Sequence, residues 1–263
     1  VLRIRLMTGV ERLVLTSAGS LDIEGGDVPL QWAPGSYTLS LAGASPAPRR
    51  FHLFVKTFPP DEAEAARAYV EGWKRQGYPA EIFLLGKRFR GEDGRPLDNR
   101  LQYVSLTRFP TRPQAVAEKA RLEKLGQWSW IEEEAVAPGR GQVNVGNAPG
   151  GARSLPTPLT FSSTAPITIA PAGGRAISCS GAVELQVGAD GRLTVIEIVA
   201  LEEYLPGVLP AEMPALWPAE ALKSQAVAAR SEVLANLGVK HKLEEFTYCA
   251  GEHCRAYNGF GGR

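Results

Sequence analysis

The sequence predicts an α+β fold: a β-rich domain with one long helix, interrupted by a small domain built on a βαβ repeat of ferredoxin-like type. Three observations carry this expectation. Apolar and polar residues alternate through the first 43 residues, as in Leu2-Arg3-Ile4-Arg5-Leu6 and again at Leu13 and Leu15. A strand–helix–strand pattern occurs twice between residues 51 and 131. From Pro218 to Leu237, apolar residues recur at helical spacing.

Composition bounds the function. The 263 residues are 44% hydrophobic and 22% charged, enough to bury one large core or two modest ones. A net charge of +1 supplies no global attraction to nucleic acid or to an anionic membrane. Lys87, Arg88, Arg90, Arg95, Arg100 and Arg108 gather locally and read as a solvated loop face. No apolar run approaches the roughly 20 residues that span a bilayer. The chain begins at Val1, so an N-terminal piece, such as a secretion signal, is expected to have been removed. Three cysteines are too few for a disulfide scaffold, and the odd count leaves at least one unpaired within the chain.

The first 43 residues read as strands punctuated by Gly19, Gly25 and Gly26, and Gly43 to Pro48 reads as a linker. His52 to Pro59 then leads into a helix over 61–76, and Tyr103 to Pro110 into a second helix over 114–125. Gly77 and Gly126 stand just past the two helix ends, where glycine accepts positive φ without penalty. Short strands, 80–85 and 128–131, follow each helix, giving a small sandwich with helices on one sheet face. Residues 139–174 are rich in Gly, Pro, Ser and Thr and read as a linker running into irregular β structure. Val183 to Val187 and Leu193 to Ile196 flank an Asp190-Gly191 turn as a hairpin. In the long helix, Leu222, Ala226, Ala229, Val233 and Leu237 share a face, Pro218 suits the first turn and Gly238 the stop.

Two segments carry chemistry. In Leu201 to Pro214, Glu212 lies between Pro210 and Pro214, with Met213, Leu216 and Trp217 as apolar neighbours. Such surroundings disfavour a carboxylate and suit a general acid. The alternative is an ordinary acid ahead of the next helix. Glu202 and Glu203 read as solvated residues opening a short helix. In Tyr248 to Tyr257, Cys249, His253 and Cys254 fall within six residues, with His241 shortly upstream. A structural zinc site, a Cys249–Cys254 disulfide and reduced thiols in a packed loop all remain open. Cys179, beside Ile177, reads as a core residue.

The run L-E-E-Y-L-x-G-V-x-P-x-E-M-P from Leu201, then W-P-x-E-A-L-K-x-Q-A-V-A-A-R from Trp217, then the Cys…His-Cys…Tyr run, resembles the SpoIID/LytB family. The chain differs from the family pattern at Pro206, Ala211 and Ser231-Glu232. It also stops soon after the Cys/His run, so the family domain is expected to be truncated at its C-terminus. Residues 51–131, with their Phe-Pro punctuation, resemble the SPOR domain.

These resemblances imply a domain order of 1–43 (N-terminal β segment of the SpoIID-like domain), 49–134 (SPOR-like glycan-binding domain) and 139–263 (SpoIID-like catalytic region). They imply a peptidoglycan lytic transglycosylase that yields 1,6-anhydroMurNAc ends, with Glu212 as catalytic acid and base. The rival reading is a non-catalytic glycan-binding scaffold or enhancer of a cell-wall amidase. The implied glycan contacts are Tyr204, Met213, Lys223, Gln225, Arg230 and Tyr257. The implied zinc ligands are Cys249, His253, Cys254 and His241. The implied partners are glycan strands stripped of stem peptides and an amidase, in the cell envelope outside the cytoplasm. In the SPOR-like block, Phe54, Tyr103 or Trp128 would offer flat apolar surfaces to sugar rings.

Overall fold

The computed structural model describes residues 1–26, 30–91 and 94–261. Along the chain come β1 (Leu2–Val10), β2 (Arg12–Ser17), β3 (Leu21–Glu24), β4 (Leu30–Trp32), β5 (Gly35–Ser45) and β6 (Arg49–Phe58). Then follow α1 (Ala63–Arg75), β7 (Glu81–Leu85), β8 (Arg88–Arg90), β9 (Pro96–Asp98), β10 (Leu101–Phe109), α2 (Arg112–Lys124) and β11 (Trp130–Ala135). The next strands are β12 (Arg140–Val145), β13 (Arg153–Pro156), β14 (Leu159–Ser163), β15 (Ile167–Pro171), β16 (Ile177–Cys179), β17 (Ala182–Val187) and β18 (Leu193–Val199). Helices α3 (Leu201–Glu212) and α4 (Ala219–Asn236) and the short β19 (Tyr248–Cys249) complete the chain. The fold is therefore mixed α+β and rich in strands. None of these helices is long and apolar enough to cross a membrane.

The chain divides into two compact units. The first comprises residues 1–48, 137–233 and 246–263. It holds a seven-stranded sheet, β19-β1-β18-β17-β14-β3-β4, and a six-stranded sheet, β13-β12-β5-β2-β15-β16. Alternation along the strands sends one set of side chains into a shared core. Leu13, Leu15, Leu39, Val143 and Ile169 meet Leu21, Leu159, Phe161, Leu185 and Val195 there. Burying side chains of this size stabilises by roughly 1.5–3 kcal/mol apiece, before conformational entropy is charged against it.

The second unit comprises residues 49–136 and 234–245. Its antiparallel sheet runs β11-β6-β10-β7, and the chain order is β-α-β-β-α-β, a split βαβ sandwich. Ala66 and Val70 of α1 and Leu122 of α2 pack on Leu53, Val55, Val104 and Leu106 from one sheet face. The opposite face carries rings: Phe54 lies 5.7 Å from Tyr103 and 5.6 Å from Trp130. Segment 234–245 closes on this unit. Its Lys242 sits 5.1 Å from the Tyr103 ring centroid and pairs with Glu132, and Ala135 N–H donates to Leu243 O. Phe54 and Tyr103 are buried and Trp128 is 65% exposed. Of the rings expected to meet sugar, only Trp128 presents itself to solvent.

Four local expectations are corrected. The stretch 43–48 is only partly a linker: β5 continues to Ser45, paired with Arg140, because small residues let β12 approach closely. Residues 139–174 form regular strands, since their few apolar residues, such as Val143, Leu159 and Ile169, alternate into the core. The basic loop contains the β8–β9 hairpin, with Arg100 forked onto Asp98 at 2.8 and 2.6 Å. Segment 234–245 folds with the second unit, although the sequence reading ran 139–263 as one region. There Asn99 donates to the carbonyls of Leu234, Ala235 and Leu237, in the last turn of α4 and just past it, where carbonyls run short of helical donors; Leu234 O also accepts from Leu237 N–H. Gly238 follows in the left-handed region at φ 73°.

Candidate functional site

The site is built on β18, a strand enclosed between β1 and β17. Its Glu197 is fully buried among apolar neighbours. Gly181 N–H donates to its carboxylate at 3.2 Å and the Tyr257 hydroxyl at 2.8 Å. Burial pushes the Glu197 pKa above the ordinary carboxylate range, and hydrogen bonds from Gly181, Tyr257, Ser180 and Cys179 only partly oppose that. Tyr257 stacks on Tyr204 with centroids 4.8 Å apart. Gly207, one turn along α3, lies so close to the Tyr257 ring that any Cβ would collide with it.

Helix α3 contains Pro206 and Pro210, each of which removes a backbone donor from the helix. The expected short helix therefore extends through both prolines as far as Glu212. Its buried face, Tyr204, Leu205, Gly207 and Val208, holds it in place. Glu212 ends the helix, with its side chain 33% exposed and its Oε1 3.5 Å from Arg255 Nη1. The apolar enclosure expected around it is absent: Leu216 is 99% exposed and Trp217 51%. Between Met213 and Pro218 the chain turns outward, leaving these side chains in solvent.

The C-terminal segment reaches the site by strand pairing. Residues of β19 lie parallel to β1, with Tyr248 opposite Ile4 and Cys249 opposite Arg5. Tyr248 hydroxyl donates to Val233 O at 2.7 Å, tying this strand to α4. Cys254 N–H donates to Gly251 O, and Tyr257 N–H returns to Ala250 O, which closes the loop. The loop brings Cys249, His253 and Cys254 together, their ligand atoms lying within 4.8 Å of one another. His253 Nδ1 stands 3.8 Å from Cys249 Sγ and 3.5 Å from Cys254 Sγ. None of the three cysteines forms a disulfide. His241 belongs to segment 234–245 of the second unit, where its Nδ1 meets Glu244 Oε1 at 2.7 Å. Cys179 is a fully buried member of the first unit's core.

The expected glycan contacts do not form one surface. Tyr204 and Tyr257 are 0% and 3% exposed, so they support the floor and do not present a face to solvent. The Tyr204 hydroxyl is buried and has no hydrogen-bond partner among the described residues. Its pKa is raised by burial, and the charges of Arg255, Cys254, Cys249 and Glu212 all act on it. Arg230 is forked onto Glu202 at 2.8 and 2.6 Å. Exposed Lys223 pairs with Glu220 at 2.8 Å, a surface pair of little energetic weight. Met213 caps α3, and it and Gln225 are half-buried.

Three residues enter that sequence reasoning missed. Glu197 could have been found as the single acid in an apolar run, Leu193 to Val199. Arg255 and Glu232, paired through Arg255 Nη2 and Glu232 Oε2, are 23 residues apart and have no sequence signal.

Residues 189–262 match the family model of SpoIID, the stage II sporulation protein. The match suggests a cell-wall-related sporulation function for this part of the chain. Over 39 residues the chain is 54% identical to an uncharacterized protein of Brachyspira hyodysenteriae. That stretch covers 15% of this chain and 11% of the relative, so the chain spans only a small part of that protein's length. No solved structure matches.

The Glu197 environment makes a prediction about pH. Its carboxyl holds a proton more tightly folded than unfolded, so the folded state binds more protons between the two pKa values. Stability should therefore fall as pH rises from about 4.3, the ordinary glutamate value, through the higher folded value. Melting temperatures followed across this window should decline in the wild type. Glu197→Gln, which has no proton to lose, should show a flatter profile. Equal slopes for the two proteins would refute the assignment.

Proposed function

We propose that this chain cleaves the glycan strands of peptidoglycan as a lytic transglycosylase, outside the cytoplasm, with Glu212 carrying the proton. The observation that supports this reading best is the placement of Glu212. It falls within the SpoIID match, ends α3 beside Arg255, and keeps a third of its side chain open to solvent. A buried carboxyl such as Glu197 cannot reach a polymer.

In the proposed reaction, the Glu212 carboxyl gives its proton to the glycosidic oxygen as the bond from MurNAc C1 breaks. The MurNAc 6-hydroxyl attacks C1 and surrenders its proton to the Glu212 carboxylate, which restores the acid. The product is a 1,6-anhydro end and no water is consumed. One carboxylate suffices because the nucleophile belongs to the substrate, whereas most glycoside hydrolases need two.

The Cys/His cluster is read as a zinc site. Two thiols and an imidazole within one loop are a donor set of the right softness, and structural zinc takes four such ligands. His241, a short way before Cys249, is the proposed fourth. An imidazole held at Nδ1 by a carboxylate, as His241 is by Glu244, is left with Nε2 to offer to a metal. Bound there, zinc would pin the loop that carries Arg255. The second unit is proposed to bind glycan stripped of stem peptides in the manner of a SPOR domain, with exposed Trp128 as a stacking surface.

Three measurements test these proposals. Mass spectrometry of stripped glycan digested by the intact protein should show anhydro ends. Glu212→Gln should reduce their formation on the order of 10²- to 10⁴-fold without lowering the melting temperature. A wild-type protein that binds glycan but yields no such ends would favour the scaffold or amidase-enhancer reading. Elemental analysis of chelator-free protein should return about one zinc per chain, and much less for Cys254→Ser. Co-sedimentation with amidase-treated sacculi should exceed that with untreated sacculi, and Trp128→Ala should reduce it; equal retention of wild type and variant would remove Trp128 from the surface.

A further inference from the structure

Arg255 is the one cation placed against Glu212 among the described residues of the first unit, and its geometry is asymmetric. The guanidinium side chain is 15% exposed. Nη2 is engaged by Glu232 Oε2 from α4. Nη1 is buried, has no hydrogen-bond partner among the described residues, and stands 3.5 Å from Glu212 Oε1. A planar guanidinium fixed at one nitrogen has its other nitrogens fixed in space as well. Anchoring on Glu232 therefore limits where Nη1 can lie, and it lies 3.5 Å from Glu212 Oε1. A buried donor left without an acceptor is unfavourable, so a small movement of the Glu212 carboxylate toward Nη1 is favoured.

The charges are arranged to the same end. Glu232 balances the guanidinium, so Glu212 meets an oriented donor without an uncompensated positive charge beside it. The Tyr204 hydroxyl is likewise buried without a hydrogen-bond partner among the described residues. Glu232 projects from α4, Glu212 from the end of α3 and Arg255 from the C-terminal loop. The guanidinium thus ties three separate elements at one point.

We infer that Arg255, anchored on Glu232, is a positioning residue that sets the orientation of the Glu212 carboxylate. The inference rests on the proposed role of Glu212. Proton transfer demands that the carboxyl oxygen lie along the line to the glycosidic oxygen, and misplacement of about 1 Å can lower turnover on the order of 10²-fold. The position after Cys254 and the acid in the Ser231-Glu232 pair thereby acquire a joint role that neither has alone.

The test uses the intact chain and stripped glycan. Arg255→Met should lower kcat on the order of 10- to 100-fold while KM stays within about twofold, because orientation is lost and glycan binding is kept. Zinc content and melting temperature should be retained; their loss together with kcat would assign Arg255 a structural role and overturn the inference. Glu232→Gln, a milder change on a partly exposed helix position, should lower kcat in the same direction. Wild-type kcat in that variant would also overturn it. Arg255→Lys keeps the charge and loses the fork, so kcat should stay low; full recovery by lysine would reduce the effect to charge alone. Glu212→Gln separates the two levels of the argument. If it turns over like the wild type, the reading of Glu212 fails. If it is inactive while Arg255→Met is not, only the inference fails.

Discussion

The hydrogen bond from Tyr257 to Glu197 fixes the rest of the site. A carboxyl in a fully enclosed strand is tolerable only when its oxygens are satisfied, and Gly181 and Tyr257 do this at 3.2 and 2.8 Å. Once Tyr257 is bound there, its ring sets the position of Tyr204, and Tyr204 sets α3. Gly207 allows the close approach, since a side chain at that position would push helix and ring apart. The same tyrosine ends the loop that carries Cys254 and Arg255. Glu212 and Arg255 are consequently referenced to one buried point from two directions.

Much of the fold is legible in local patterns. The β17–β18 hairpin follows from alternation around Asp190-Gly191, and α1, α2 and α4 from periodicity and their glycine stops. What local patterns miss is pairing between distant segments. Strands β12 to β15 are short, carry few apolar residues, and acquire their structure from partners far away, as in Val143 opposite Leu41 and Thr168 opposite Thr16. Composition describes such a stretch as linker because Gly, Pro, Ser and Thr are common to both. The prolines of α3 mislead in a similar way. Propensity argues against a helix through Pro206, and the buried face of Tyr204, Leu205 and Val208 overrides it.

The site shows the same division. Cys249, His253 and Cys254 are close in sequence, and a loop closed by Tyr257 N–H to Ala250 O keeps them close in space. Glu212 is marked by its motif. Its environment is not: apolar neighbours in sequence suggested enclosure, yet Leu216 and Trp217 turn outward and a charged residue 43 positions away takes their place. Sequence neighbours supply the backbone around a side chain, and in a chain with this many long-range pairings they seldom supply its surroundings.

The two acids of the site illustrate how one scaffold separates structural from chemical roles. Glu197 is enclosed, hydrogen-bonded at both oxygens and pushed toward the protonated form, so exchanging its proton with a ligand would require opening the sheet. Glu212 stands at a helix end, where unpaired carbonyls are plentiful and amide donors to a carboxylate are few. A carboxylate in that place depends on donors from elsewhere, and the nearest is a guanidinium whose own position is decided by a third acid on another helix. Rigidity therefore flows from the buried acid to the exposed one: through Tyr257 to the loop, through the loop to Arg255, and from Arg255 to the carboxyl that can meet a substrate.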